Sequence, residues 1–187
     1  EEELYISHAV GFIQHKPIKE LLSKRKKRYI NNDVTLKSVS FHSTKSLNQF
    51  FDILVMSKAR YQLKPTHTLQ ELIALKKLFP KQIKIVVSKL KNRIIGGFIL
   101  FITNKNTSLV FYNATLAEFR QTQLSSLQLY HSIKISKSLN LSYVDFGVSH
   151  TPEQDNPLAP KFSLIKFKEQ FHAKAVIRNI LKKNYNV

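Results

Sequence analysis

Asp145, Ser149 and His150 bring a carboxylate, a hydroxyl and an imidazole within six residues of one another. Asp145 lies between Val144 and Phe146, so strand alternation turns it away from both. A carboxylate there can accept a proton if burial raises its pKa. It can equally be structural, bonding backbone or a nearby cation. Ser149 and His150 follow at the strand's carboxyl end, where α/β folds gather their sites. His150 can take up a proton near neutral pH, or be an ordinary loop histidine. Tyr112 ends an apolar run and can either donate a hydrogen bond to a reacting centre or pack half-buried. Arg120 precedes a helical stretch and can hold an anion or stand as an exposed cation. His131 falls inside that stretch and reads as a core or rim residue. The histidine spacings suit no metal, and there is no cysteine. Disulfides, thiolate nucleophiles and sulfur-based zinc sites are excluded.

The elements that position these residues follow from periodicity. Pro17 opens a helical pattern in which Ile18, Leu21, Leu22 and Tyr29 share a face. The run Lys24-Arg25-Lys26-Lys27-Arg28 lies on the other face, and residues 1–14 show no clear period. Residues 34–39 read as a short strand. Ser43 or Thr44 is placed to cap a helix carrying Leu47, Phe50, Phe51, Leu54 and Val55. Thr68 with Glu71 three residues on forms a capping box for the next helix, and Pro80 stops it.

Three β-rich runs follow, residues 83–90, 93–103 and 108–113, joined at Lys91-Asn92 and Asn104-Lys105-Asn106. Short polar turns between such runs predict an antiparallel meander. Gly96-Gly97 within the middle run predicts a bulge or a close backbone approach. A helix over residues 122–140, a strand over 141–147 and a polar loop from Ser149 to Pro160 come next. Residues 162–172 read as a strand edge or short helix, before a last apolar run at Ala175, Val176, Ile177 and Ile180. The expected architecture is one α/β domain, a mixed sheet with helices on its faces. Residues 1–32 form a basic helical segment ahead of a core over 33–180.

Composition narrows the function classes. With 187 residues and 43% hydrophobic content the chain can bury one sizeable core. Its longest uncharged apolar run, residues 94–102, is far short of the ~20 residues that cross a bilayer. The lack of cysteine fits a cytoplasmic location. A net charge of +18 favours an anionic partner: nucleic acid, a phosphorylated cofactor or an acidic membrane face. Lys, Asn and Ile are abundant together, as AT-biased coding alone would produce. Only six of the 30 cations are Arg, the residue best suited to forked phosphate contacts.

One stretch is more specific. Tyr143-Val144-Asp145-Phe146-Gly147 follows the long helix, and Leu164-Ile165-Lys166-Phe167-Lys168-Glu169-Gln170-Phe171 follows the polar loop. This pair resembles the "y-DFG-s … l-FKe-f-G" signature of the Fem-type peptidoglycan-bridge aminoacyltransferases and the related FemAB-like acetyltransferase domains. Arg93-Ile94-Ile95-Gly96-Gly97-Phe98 is similar to that group's "i-iag-l" strand. The resemblance implies a GNAT-like sheet, mixed and largely antiparallel with helices on both faces. It also implies N-acyl transfer to an amine from acyl-CoA or acetyl-CoA, or from an aminoacyl-tRNA. The lysine of the FK pair, Lys168, is implied to face the donor's phosphate or the reacting carbonyl. A solvated lysine is the alternative.

The chain departs from the pattern twice. Many GNAT enzymes carry Q/R-x-x-G-x-G/A before the long helix, where backbone amides and the helix dipole hold a pyrophosphate. Here the stretch is Arg120-Gln121-Thr122-Gln123-Leu124-Ser125, and both glycines are gone. His172 replaces the glycine that usually follows "FKe-f". The expected catalytic set is Lys168, Tyr112, Asp145 and His150. Donor binding is expected at Arg120, Gln121, Thr122, Gln123 and Ser149, with no metal. The basic run Lys24–Arg28 reads as a phosphate patch for tRNA or as a solvated helix face. Two other readings are a non-catalytic nucleic-acid-binding module and a degenerate GNAT domain. A complete Fem-type enzyme has two such domains, and 187 residues accommodate one.

Overall fold

A computed structural model of the chain describes residues 2–11, 13–44, 47–150 and 159–181. The strands are β1 (Glu2–Gly11), β2 (Val39–Ser43), β3 (Ile83–Leu90), β4 (Arg93–Ile102), β5 (Thr107–Thr115), β6 (Tyr143–Val148) and β7 (Lys174–Leu181). The helices are α1 (Lys24–Asn32), α2 (Val34–Lys37), α3 (Asn48–Ala59), α4 (Leu69–Leu78), α5 (Leu124–Ser138) and α6 (Phe162–Glu169). The strands form one sheet in the order β2-β3-β4-β5-β6-β1-β7. Every neighbouring pair is antiparallel except β5 with β6, which run parallel.

Apolar phases of the strands divide the core in two. Val86, Phe98, Leu100, Val110, Val144 and Phe146 pack on one face against Leu129 and Ile133 of α5 and Phe171 just past α6. On the other face Ile85, Val87, Ile99, Tyr112 and Ala114 pack against Phe50, Ile53 and Leu54 of α3 and Leu72 of α4. The expected mixed, largely antiparallel sheet with helices on both faces is present.

The meander forms as its turns predict. Lys91 takes φ 53° in the β3–β4 turn. Both glycine expectations hold: β3 and β4 slip register between Ser88 and Lys89, opposite Gly96, and both glycines sit under close backbone approach. A Cβ on Gly96 would lie 2.7 Å from the Ala114 carbonyl oxygen and 2.5 Å from Gln128 Nε2. Gly96→Ala is therefore expected to cost about 2 kcal/mol in stability, the scale of an overpacked core. A urea denaturation midpoint unchanged from the native chain would contradict this. The capping box also forms: Thr68 N–H donates to Glu71 Oε2 at 2.7 Å, and Glu71 N–H to Thr68 Oγ1 at 3.2 Å.

Four expectations are corrected. Residues 2–11 are a strand, β1, lying between β6 and β7, so the segment ahead of residue 33 is not simply helical. The pattern from Pro17 breaks into a 3-10 turn at Ile18–Leu21 and α1, because Ser23 caps a new helix by accepting from Lys26 N–H at 3.2 Å. Residues 34–37 are helical, and the strand begins at Val39. Neither Ser43 nor Thr44 caps α3: Ser43 ends β2, Thr44 N–H donates to Ile85 O, and the residue before α3 is Leu47. The 162–172 alternative resolves as helix, α6. Residues 151–158 of the polar loop and the basic tail after residue 181 lie outside the described residues.

Candidate functional site

The parallel pair defines the site. β5 and β6 are matched only at Thr107–Tyr143, Ser108–Val144 and Leu109–Asp145. Past that point β5 runs on to Thr115 and β6 to Val148 without facing each other in the ladder. The two strands thus part toward their carboxyl ends, leaving a wedge between them. Asp145 stands at its apex. Eight residues separate the end of β5 from the start of α5, and Asn113 Nδ2 of β5 donates to Ser125 O in the first turn of α5 at 3.2 Å. This is the topological switch point where open α/β sheets place ligands.

Asp145 bends back on its own strand. Its Oδ1 accepts from Gly147 N–H at 2.6 Å, and its Oδ2 lies 3.8 Å from Arg178 Nη1 on β7. Gly147 takes φ +77°, which side-chain-bearing residues rarely adopt. Burial pushes the Asp145 carboxyl above its ordinary value. The Gly147 N–H bond and the Arg178 and Lys168 charges oppose that shift.

Lys168 lies inside, only 4% exposed, although it comes from a helix rich in polar residues. Its Nζ donates to Gly147 O and Val148 O, both at 2.7 Å, and to Ser149 Oγ at 3.0 Å. An ammonium has three donors, and all three are taken. The side chain therefore pins the end of β6. Burial lowers its pKa to about 8, partly offset by Asp145. Because Ser149 Oγ accepts from Lys168, its hydrogen is free to go to His8 Nδ1, 2.7 Å away. Burial, then the Lys168 charge, lowers the His8 pKa, which suits a neutral imidazole accepting at Nδ1. His150 is shifted down by the same two causes, and its ring lies 5.8 Å from that of Tyr5.

The structure thus brings Asp145, Ser149, His150 and Lys168 to the end of β6. Tyr112 is not with them: its hydroxyl accepts from His67 N–H at 3.1 Å and lies 3.2 Å from His67 Nδ1, beneath the turn that leads into α4. Arg120 and Gln121 are exposed ahead of α5, and Thr122 Oγ1 donates to Phe119 O at 2.8 Å. His131 is packed, stacked on Phe41 at 4.1 Å, and burial lowers its pKa to about 4.

His8 and Arg178 were missed by sequence reasoning. A weak signal for β1 was present, since Ile6 and Val10 lie four residues apart in one strand phase. His8 occupies the same phase, and that hid the strand.

Two of the three positions at which the pattern has glycine take a left-handed conformation here, and the third, Ser125, is helical. Gln123 takes φ 54° and His172 φ 56°. A residue with a Cβ is strained there by roughly 1–2 kcal/mol. His172 is exposed, so His172→Gly is expected to stabilise the chain by about 0.5 kcal/mol after the added freedom of the unfolded chain is subtracted. That corresponds to a rise of about 1–2 °C in Tm. A lower Tm for the glycine variant would contradict it.

The basic run is split. Lys26 turns inward and is 4% exposed, leaving Lys24, Arg25, Lys27 and Arg28 outside. The Arg25 and Arg28 guanidinium carbons lie 5.6 and 5.7 Å from the Tyr29 ring centroid.

No family model and no curated protein matches the chain. Solved structures do. FemX superimposes with a TM-score of 0.73 at 13% identity, over 91% of this chain and 59% of that one. The C-terminal domain of a putative lysylphosphatidylglycerol synthetase from Agrobacterium fabrum gives 0.67 at 12% identity, over 96% and 60%. Ard1 from Thermoplasma volcanium gives 0.53 at 13% identity, over 78% and 99%. The chain spans about 60% of the first two. Identities this low speak for the fold alone, and that fold is the GNAT-like one the motifs implied.

Proposed function

We propose that the chain is an N-acyltransferase. The observation that carries this reading is the parallel β5–β6 pair that parts at Asp145, open toward the start of α5. The donor is a thioester of coenzyme A or an aminoacyl-tRNA; both present a carbonyl on a long phosphorylated carrier. Its reactive end enters the wedge, where main-chain N–H groups of the parted strands can bond the carbonyl oxygen. Such donors are worth roughly 3 kcal/mol once negative charge develops there.

The acceptor amine attacks the carbonyl carbon. A C–N bond forms, the C–S or C–O bond to the carrier breaks, and the leaving group takes a proton. Asp145 accepts the proton lost by the amine. Its burial favours that transfer, since it moves the carboxyl pKa toward that of a working base. Lys168, Ser149 and His8 hold the strand end that carries it. Arg120 and Gln121 stand exposed where carrier phosphates would lie. The outward Lys24, Arg25, Lys27 and Arg28 favour a tRNA carrier over a free one, through charge contacts that position without specifying.

Incubating the chain with labelled acetyl-CoA, and separately with charged tRNA, and a panel of amines tests this. The reading expects an amide product, by mass spectrometry, that depends on Asp145. Hydrolysis of the donor without any amide product would overturn it.

A further inference from the structure

We propose that Lys26 is a positioning residue: its ammonium holds Gln123 in the left-handed turn that a glycine would adopt unaided, and so sets the start of α5 for the donor. The donor part of this inference rests on the acyltransferase reading.

Three observations meet at this turn. Gln123, the residue before α5, has φ 54° and ψ 19° and makes no side-chain bond to the helix amides. A helix start normally takes an extended residue there, and a left-handed one is costly with a Cβ. Second, a closed triangle of bonds fixes the Gln123 side chain. Lys26 Nζ donates to Gln123 Oε1 and to Ser126 Oγ, both at 2.7 Å, and Ser126 Oγ donates to Gln123 Oε1 at 3.1 Å. Third, Lys26 is only 4% exposed, and its Nζ lies 4.8 and 5.9 Å from the ring centroids of Phe167 and Phe171. Ring faces replace part of the water that the ammonium has lost.

A buried cation is an expensive way to fill space, and the positive end of a helix is a poor place for one. An apolar side chain would pack there with less penalty. What the ammonium adds is the grip on Gln123 and Ser126. α1 is thereby tied to the first turn of α5, and both to Phe167 and Phe171, which flank Lys168 in sequence. The long Gln123 side chain replaces glycine's missing one, and Lys26 gives it something to hold.

The test compares the native chain with Lys26→Met, Gln123→Gly and the double variant. Methionine keeps the stem of the lysine and its packing on Phe167. Two readouts are taken: amide hydrogen exchange at Leu124, Ser125 and Ser126 without donor, and acetyl-CoA affinity by calorimetry. Lys26→Met is expected to speed exchange and weaken acetyl-CoA binding by about tenfold each. Adding Gln123→Gly to it should return both to within about threefold of native, because glycine needs no grip. Native-like exchange in Lys26→Met overturns the proposal, as does failure of the glycine to rescue. If the native chain binds no acetyl-CoA, the donor reading falls and the exchange rates alone decide for or against Lys26.

Discussion

Lys168→Met should lower the stability of the chain by about 3 kcal/mol and abolish activity with it. The variant leaves the Gly147 and Val148 carbonyls without the donor they now share, at roughly 1–3 kcal/mol each when buried. Losing the ammonium's own burial penalty offsets part of that. The pH dependence makes the claim sharper. The Lys168 pKa is pushed down to about 8 from the ordinary 10.5, chiefly by burial. Between those values the unfolded chain binds more protons than the folded one, so stability rises as pH rises from about 8 to 10.5. Below about 8 the folded chain carries the full penalty of the buried charge. Lys26, also lowered to about 8 by burial and then by Arg25, contributes with the same sign. Lys168→Met should therefore flatten the rise without removing it. Thermal unfolding between pH 7 and 10.5 checks both points. A variant as stable as the native chain, or one with an equally steep rise, would contradict the pinning of β6 by this ammonium.

Asp145→Asn should cut turnover by about 10²–10⁴, the usual contribution of a positioned base. The amide oxygen can still accept from Gly147 N–H, so the fold should survive. What disappears is the proton acceptor and the charge facing Arg178. The native kcat/KM should fall as pH drops through the Asp145 pKa, because the base must be unprotonated to act. Burial raises that pKa above the ordinary 3.8, so the acid limb lies at higher pH than for a free carboxylate. In the Asn variant that limb should vanish. Turnover within a few-fold of native, or an unchanged acid limb, would move the base elsewhere, with His150 the next group to test.

Much of the frame was legible because local signals and tertiary packing agree. The meander follows from its polar turns, the start of α4 from Thr68 and Glu71, and the close approach from Gly96-Gly97. The end of β6 was legible through a motif: Gly147 and Lys168 lie 21 residues apart in sequence and meet at 2.7 Å.

What escaped has physical reasons. β1 pairs only with β6 and β7, far along the chain, and His8 sits in its buried phase. With His8 in that phase, the local alternation is too weak to mark the strand. Lys26 was hidden in a run of five cations, though Leu22 and Ile30, four residues to either side, are both buried. Helical spacing placed Lys26 on the inner face all along. Gln123 and His172 concealed a left-handed backbone, because neither residue type announces one. Left-handed conformation is a property of the main chain, and residue type reports it only when the residue is glycine. Tyr112 was misplaced because alternation gives the side of the sheet but not the partner, and His67 had already taken its hydroxyl.

Calorimetric titration of the purified chain with acetyl-CoA, a long-chain acyl-CoA and a charged tRNA, at physiological and raised salt, tests the central claim most directly. The account predicts saturable binding of at least one donor with a stoichiometry of one. A thioester is expected to survive the raised salt, whereas a tRNA held through the outer face of α1 should weaken steeply. Binding of none of the three would contradict an acyltransferase, whatever the fold.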